Sequence, residues 1–286
     1  PKLVDTARVE IVRPGDAGYS FVLTSATNRF DTADFYFTPE QVNDSTVMMK
    51  LDLGDGAQWA LRYTLAPGSY VVRMEVVQKG MQKIIPPSVA SADFVWAQKL
   101  ARNERGRTFE ERNSGLYYKF LGDTPDDLAM QGDKQKSLDQ RLKWIAFKNQ
   151  FFSTVMIPRT SFTSAEVATV DLKDTPDYLK DLSVKATMDY TSTEEVPVAI
   201  DIFMGPNLYP LLHSLDSQLK ASEDDPSLDL TRLIPLGWSL FRWINTLIII
   251  PVFTFLSGFI SNYGIIILLL TIFIKIILFP FTYKSY

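Results

Sequence analysis

Between Leu233 and Tyr286 the chain carries no aspartate or glutamate, and its only charges are Arg242, Lys275 and Lys284. No water-facing fold leaves more than fifty residues this short of charge. Within the stretch, Gly264 to Phe281 is 18 residues holding one charge, Lys275, and one hydroxyl, Thr271. As a helix it would reach roughly 27 Å, close to a bilayer core of roughly 30 Å. Tyr263 and Tyr283 flank it as interfacial aromatics do. A buried core helix is the competing reading, but such helices are usually shorter and sit inside a domain. The expectation is one transmembrane helix over 263–286.

The segment ahead of it, 238–260, is apolar but striped. Ser239, Arg242, Thr246, Thr254 and Ser257 fall near one face at 100° per residue, with Leu240, Trp243, Ile244, Leu247, Ile248 and Phe255 over the rest. That pattern predicts a helix lying in the membrane interface. A second span is the alternative. Pro251 should kink or break the helix, because it removes a backbone donor and crowds the preceding turn. Ile260 to Gly264 reads as a short turn. Trp238, Arg242, Trp243, Tyr263 and Tyr283 are the expected interfacial anchors. Lys284 lies beyond the span and Glu223, Asp224 and Asp225 lie upstream, so the positive-inside rule puts the C-terminal end in the cytoplasm and the body outside it.

Of the 29 lysines and arginines, three follow Leu233, leaving 26 against 33 acidic residues and a net charge of −7 over residues 1–232. The mean hydropathy of +0.01 thus averages an acidic body with a very apolar tail. There is no basic excess for nucleic acid. Absence of cysteine removes disulfides, thiolate metal sites and cysteine nucleophiles, and one histidine, His213, is too few for a histidine relay or a histidine-rich metal site. No cofactor or metal is expected.

The body alternates repeatedly. Tyr70, Val72, Met74 and Val76 oppose Val71, Arg73 and Glu75; Val198, Ile200, Ile202 and Met204 oppose Ala199, Asp201 and Phe203; Leu116, Tyr118 and Phe120 oppose Tyr117 and Lys119. These are half-buried antiparallel strands. Turn signals such as Gly54-Asp55-Gly56 and Pro67-Gly68-Ser69 separate them. The pattern predicts a large antiparallel sandwich over 1–225, followed by a linker over 226–237. Two helices interrupt it. One is a charged surface helix from Trp96 to about Arg105. The other is an amphipathic helix with Leu208, Leu211, Leu212, Leu215 and Leu219 on one face and His213 on the polar side. Lys99, Arg102, Arg105, Arg107 and Arg112 are interleaved with Glu104, Glu110 and Glu111, which favours a surface over a phosphate site. No phosphate loop, nucleophile elbow or metal-ligand spacing is present. Carboxylates such as Asp31/Asp34 or Glu194/Glu195 are not singled out by context, and a carboxylate pair assembled in space stays open.

Lys275 sits mid-span, where a lysine costs about 2.5–3.5 kcal/mol. Two readings remain: the side chain snorkels to the headgroups, or it faces a water-filled cavity among other helices, with Thr271 four residues earlier on the same face.

The motifs Gly237-Trp238-Ser239-Leu240-Phe241-Arg242-Trp243-Ile244, Asn262-Tyr263-Gly264, Leu270 to Lys275 and Phe279-Pro280-Phe281-Thr282 closely resemble the bacterial YidC membrane protein insertases. Trp144 to Phe152, Ile157-Pro158 and Phe203-Met204-Gly205-Pro206 resemble their large periplasmic domain. The resemblance implies a β-supersandwich in the periplasm, then an interfacial helix and the second transmembrane helix, in the bacterial inner membrane. It implies no enzymatic step. Nascent membrane proteins would place hydrophilic segments in a polar intramembrane groove, to which Lys275 and Thr271 contribute. The family more often has arginine at the basic position, and lysine keeps the charge without the planar fork. Implied partners are the lipid bilayer and the Sec translocon with its accessory subunits. The first span and later spans are expected outside residues 1–286. A membrane-anchored sandwich that binds or modifies carbohydrate is the alternative.

Overall fold

The computed structural model describes residues 10–128, 132–220, 226–237 and 239–283. The chain divides into two compact units, Pro1–Leu233 and Ile234–Tyr286.

The first unit is an antiparallel β-sandwich. Its early strands are β1 (Ala17–Thr24), β2 (Arg29–Asp31), β3 (Thr38–Asn43), β4 (Thr46–Asp52), β5 (Gln58–Leu65), β6 (Val71–Lys79) and β7 (Ser91–Ala101). After α1 (Arg107–Arg112) come β8 (Gly115–Phe120), β9 (Asp126–Asp127), β10 (Lys134–Leu138), β11 (Leu142–Lys148), β12 (Phe152–Pro158), β13 (Phe162–Asp171), β14 (Tyr178–Asp189) and β15 (Val198–Pro206), then α2 (Tyr209–Gln218). The ladder runs β2-β1-β7-β14-β13-β11-β12-β15-β6-β5-β4-β3, with β10 on β13 and β8–β9 on β11. One residue pair, Leu142 with Phe162, joins β11 to β13, so the ladder folds there into two facing layers. Rings bridge the layers: Phe21 lies 5.6 Å from Trp59, and Trp96 stacks on Phe147 at 3.5 Å. Tyr19 donates to the Tyr63 hydroxyl across the gap at 2.5 Å.

Where a helix was expected from Trp96 to about Arg105, the chain is strand β7 to Ala101. Ala92, Phe94, Trp96, Gln98 and Leu100 are all buried, a period of two that the charge of Lys99 obscures. The helix comes later, at α1. The basic residues around it serve the backbone: Arg107 donates to the Thr175 and Leu172 carbonyls, both at 2.7 Å, and Arg102 to those of Glu104 and Arg105. Helix α2 buries Leu212 and Leu215 and leaves Leu208 and His213 exposed, with His213 stacked on Tyr209.

Two alternating strands carry charges that are not solvated. Asp201 of β15 is fully buried, although its position in the alternation is the outer one. It lies opposite Arg73 in register and takes that guanidinium at 2.8 and 3.2 Å, with Arg159 at 3.5 Å. The arginine stems cover it while their heads reach water. Lys119 of β8 is buried too, its ammonium 3.2 Å from Asp229. The covering piece is residues 226–233. Trp144 donates its indole N–H to the Leu228 carbonyl at 2.7 Å, Leu230 N–H donates to Asp216 at 3.1 Å, and Leu228, Leu230 and Leu233 are buried. Asp229 takes the left-handed conformation (φ +52°), which aspartate tolerates better than most residues, and this turns its carboxylate toward Lys119. A strap thus closes the outer face of β8 and β11, which is why β11 is buried on both sides.

Lys148, at the end of β11, is 1% exposed, with its ammonium on the Asn113 carbonyl and 5.5 Å over the Tyr117 ring. Burial pushes its pKa down to about 8, against the opposing pull of Asp127. An unfolded lysine titrates near about 10.4, so between those values the unfolded chain binds more protons. Stability from this group therefore rises with pH over that window, by up to about 1.4 kcal/mol per unit. In Lys148→Met that slope is expected to vanish, read as the difference between wild-type and variant denaturation midpoints from pH 7.5 to 9.5. Equal slopes would contradict the assignment.

The second unit is helical: α3 (Ser239–Ile244), a π-helical turn (Asn245–Ile249), α4 (Ile250–Ser257) and α5 (Tyr263–Tyr283). Among the described residues no helix is long and apolar enough to cross a membrane. Pro251 does not break the helix. The α ladder gives way in the π turn before it, and α4 resumes at Ile250 with proline in its first turn, where no intrahelical donor is needed.

Candidate functional site

The second unit is built for apolar surroundings. Phe241, Trp243, Leu247 and Phe255 are all more than half exposed, a run of large apolar side chains of the kind that marks a membrane or protein contact. Two hydroxyls of the polar stripe between them are satisfied inside the helix. Thr246 donates to the Arg242 carbonyl at 2.9 Å and Ser257 to the Thr254 carbonyl at 2.8 Å. Asn245 donates to the Leu236 carbonyl at 3.1 Å and ties the π turn to the chain before α3. Neither this role of Asn245 nor the strap over Trp144 was anticipated from sequence. The spacing of Leu228, Leu230 and Leu233 was the one available signal.

Asn262 starts α5. Its side-chain oxygen accepts from Gly264 N–H at 2.9 Å, and its carbonyl accepts from Ile265 and Ile266 at 3.1 and 3.2 Å. This is an N-cap. A side chain at 264 would bring its Cβ to 3.1 Å from the capping oxygen, which accounts for glycine there. Tyr263 stacks on Phe253 at 5.8 Å, linking α4 to α5.

Along α5, Ile266 and Leu270 are buried. At 100° per residue Lys275 lies half a turn from that line, and Leu268 and Thr271 lie within 40° of Lys275. Both Lys275 and Thr271 are exposed. Thr271 donates to the Ile267 carbonyl at 2.8 Å, so its proton is committed and a hydroxyl oxygen stays available as acceptor. The helix therefore has one packed side and, opposite it, one side with a cation and a hydroxyl a turn apart. Such a face can attract acidic or polar groups. Among the described residues no group of histidine, aspartate or glutamate is placed to hold a metal.

Of the expected anchors, Arg242 and Trp243 lie on α3 and Tyr263 opens α5. Tyr283 is the last residue of α5, with its side chain outside the described part. Trp238, Lys284 and Glu223 to Asp225 lie outside the described residues.

A family model described as the YidC periplasmic domain matches residues 4–250. The chain belongs to that family. Proteins named membrane protein insertase YidC are similar over nearly its whole length. The Parabacteroides distasonis protein is 41% identical over 275 residues, 95% of this chain and 42% of the relative. The Bacteroides fragilis protein is 37% identical over 282 residues, 99% of this chain and 45% of the relative. The Porphyromonas gingivalis protein is 35% identical over 288 residues, 100% of this chain and 45% of the relative. The chain thus spans less than half the length of these YidC relatives. The antiparallel sandwich of the first unit is the body that the YidC resemblance implied.

Proposed function

We propose that this chain is the periplasmic and first groove-forming part of a YidC-type insertase, which helps newly made membrane proteins enter the bacterial inner membrane. The observation that carries this reading is the polar face of α5, Lys275 with Thr271, in a helix otherwise apolar and capped by Asn262. The backbone of α5 is 21 residues, roughly 31 Å at the helical rise, close to the thickness of the hydrocarbon core. In this reading α3 to α4 lie in the outer interface, and the sandwich and strap stand in the periplasm. The domain limits in this reading are the sandwich over 1–225, a linker over 226–237 whose first part is the strap packed on the sandwich, the interfacial helix over 238–260 and the span over 263–286.

Insertion needs no bond made or broken. A substrate's apolar span moves into lipid because hydrocarbon is its better solvent, and the step that costs is carrying its polar end across. A cation inside the membrane, shielded by further helices of the full-length protein, lowers that cost for acidic ends. The substrates are nascent membrane proteins. The Sec translocon is the proposed co-worker, through the periplasmic sandwich.

The absence of cysteine makes topology directly testable. A single cysteine at position 123, in the sandwich, is expected to react with an impermeant maleimide in intact spheroplasts. One at position 285 should react only after the membrane is opened. Equal labelling at both positions in intact spheroplasts would overturn the reading.

A further inference from the structure

A slot lies between the two layers of the sandwich, near the end where β1 and β6 begin. One wall is a row in register across neighbouring strands, Met156 of β12, Ile202 of β15 and Val72 of β6, continued by Tyr63 of β5. The other wall is Ala17 and Tyr19 of β1 with Trp96 of β7. Ala17 offers only a methyl group where the next residues on that face of the strand, Tyr19 and Phe21, offer rings. The Tyr19 hydroxyl donates to that of Tyr63 across the gap and acts as a strut between the layers. The void left is about 340 Å³, within the roughly 300–1,000 Å³ of small-ligand pockets, in a core that is otherwise close-packed.

Its dimensions are those of a chain. Four adjacent strands at a spacing of roughly 4.8 Å make the slot roughly 14 Å long. A volume of about 340 Å³ over that length is about 5 Å across. A carbon in contact with its neighbours takes about 4 Å, so the slot fits one unbranched chain in single file. Met156 and Met204, both flexible and unbranched, let the wall adjust to it.

The ligand class follows from what the walls can and cannot take. Among the described residues none that lines the slot is charged. Gln98 and Thr154 also border it, but their side-chain oxygens are buried with no surface open to it. A peptide threaded here would bury backbone N–H and C=O groups without partners, and a sugar would bury hydroxyls in the same way. An alkyl chain has no such demand, and each methylene that leaves water favours entry. The mouth is apolar as well: Leu65, in register with Val72, is nearly half exposed. We propose that this slot binds the unbranched acyl chain of a single-chain lipid, with its head group at the mouth. The proposal is independent of the insertion reading.

The test places the whole chain in nanodiscs of phosphatidylethanolamine and phosphatidylglycerol and adds dodecanoic acid bearing a terminal diazirine. After illumination, adducts are located by peptide mapping. They are expected on β6, β12 and β15, and an excess of plain dodecanoic acid should suppress them, whereas a leucine-rich peptide should not. Ala17→Phe puts a ring into the slot that displaces about two methylenes, so adducts there should fall about tenfold. Met204→Trp fills the slot from the opposite wall and should act in the same way. Melting temperatures at or above that of wild type verify that the variants fold, and either variant alone suffices for the test. The proposal fails if no adduct forms on these strands, if plain dodecanoic acid does not compete, if the peptide competes as well as the fatty acid, or if a folded variant is labelled like wild type.

Discussion

Replacing Lys275 by leucine in the full-length protein is expected to reduce, by about tenfold, insertion of substrates whose translocated segment carries acidic residues. The reasoning is a comparison of costs. An aspartate at the bilayer centre costs about 2.5–3.5 kcal/mol on an insertion scale. A cation that offsets about half of this changes the rate of a limiting crossing step by about tenfold. Substrates with neutral translocated segments should insert normally, because the charge is the interaction removed. Lys275→Arg should retain function, since the role proposed for Thr271 and Lys275 is one of charge and polarity and requires no bidentate partner. Leucine makes α5 more apolar, so integration of the insertase itself should not suffer. The measurement is pulse-labelled insertion of two model substrates that differ in one acidic residue. Normal insertion of the acidic substrate by Lys275→Leu would remove the groove role.

The second large effect is on the sandwich. Trp144→Ala is expected to destabilise the first unit by about 3–5 kcal/mol, the range for deleting a fully buried tryptophan. The loss has two parts. A large apolar ring leaves a cavity in β11, and the Leu228 carbonyl loses its donor. Trp144→Phe separates them: the ring volume is largely kept, and the missing hydrogen bond alone should cost about 1–3 kcal/mol. Both variants should also expose the strap. Amide exchange at Leu230 and Arg232, whose N–H groups bond Asp216 and the Asp229 carbonyl, is expected to quicken well before global unfolding. Unchanged exchange there would mean that the strap is held by something other than Trp144.

How much of this was legible in the residues follows from how far apart the partners lie. The alternation of Met74 with Val76 and of Val198 with Ile200 needs only local periodicity, and those positions are buried as expected. The buried Asp201 was not legible, because its partner Arg73 is 128 residues away and nothing local distinguishes it from a solvated aspartate. Strand β7 was misread as a helix because Gln98 and Lys99 break up its apolar pattern, yet the Gln98 amide is as buried as Trp96 beside it. The polar face of α5 needs one helix and a spacing of four, so Lys275 and Thr271 could be paired from sequence. The slot between the layers draws on β1 and β7 from one and on β5, β6, β12 and β15 from the other, and no pattern in the chain brings those residues together.

The central claim is that one side of α5 meets the passenger protein. Its most direct test is a photo-crosslinker placed singly along α5 of the full-length protein while a membrane protein is being made. Positions 268, 271 and 275 are expected to capture the nascent chain, and positions 266, 270 and 273, on the other side, are expected not to. Capture spread evenly around the helix, or confined to 266, 270 and 273, would contradict the account.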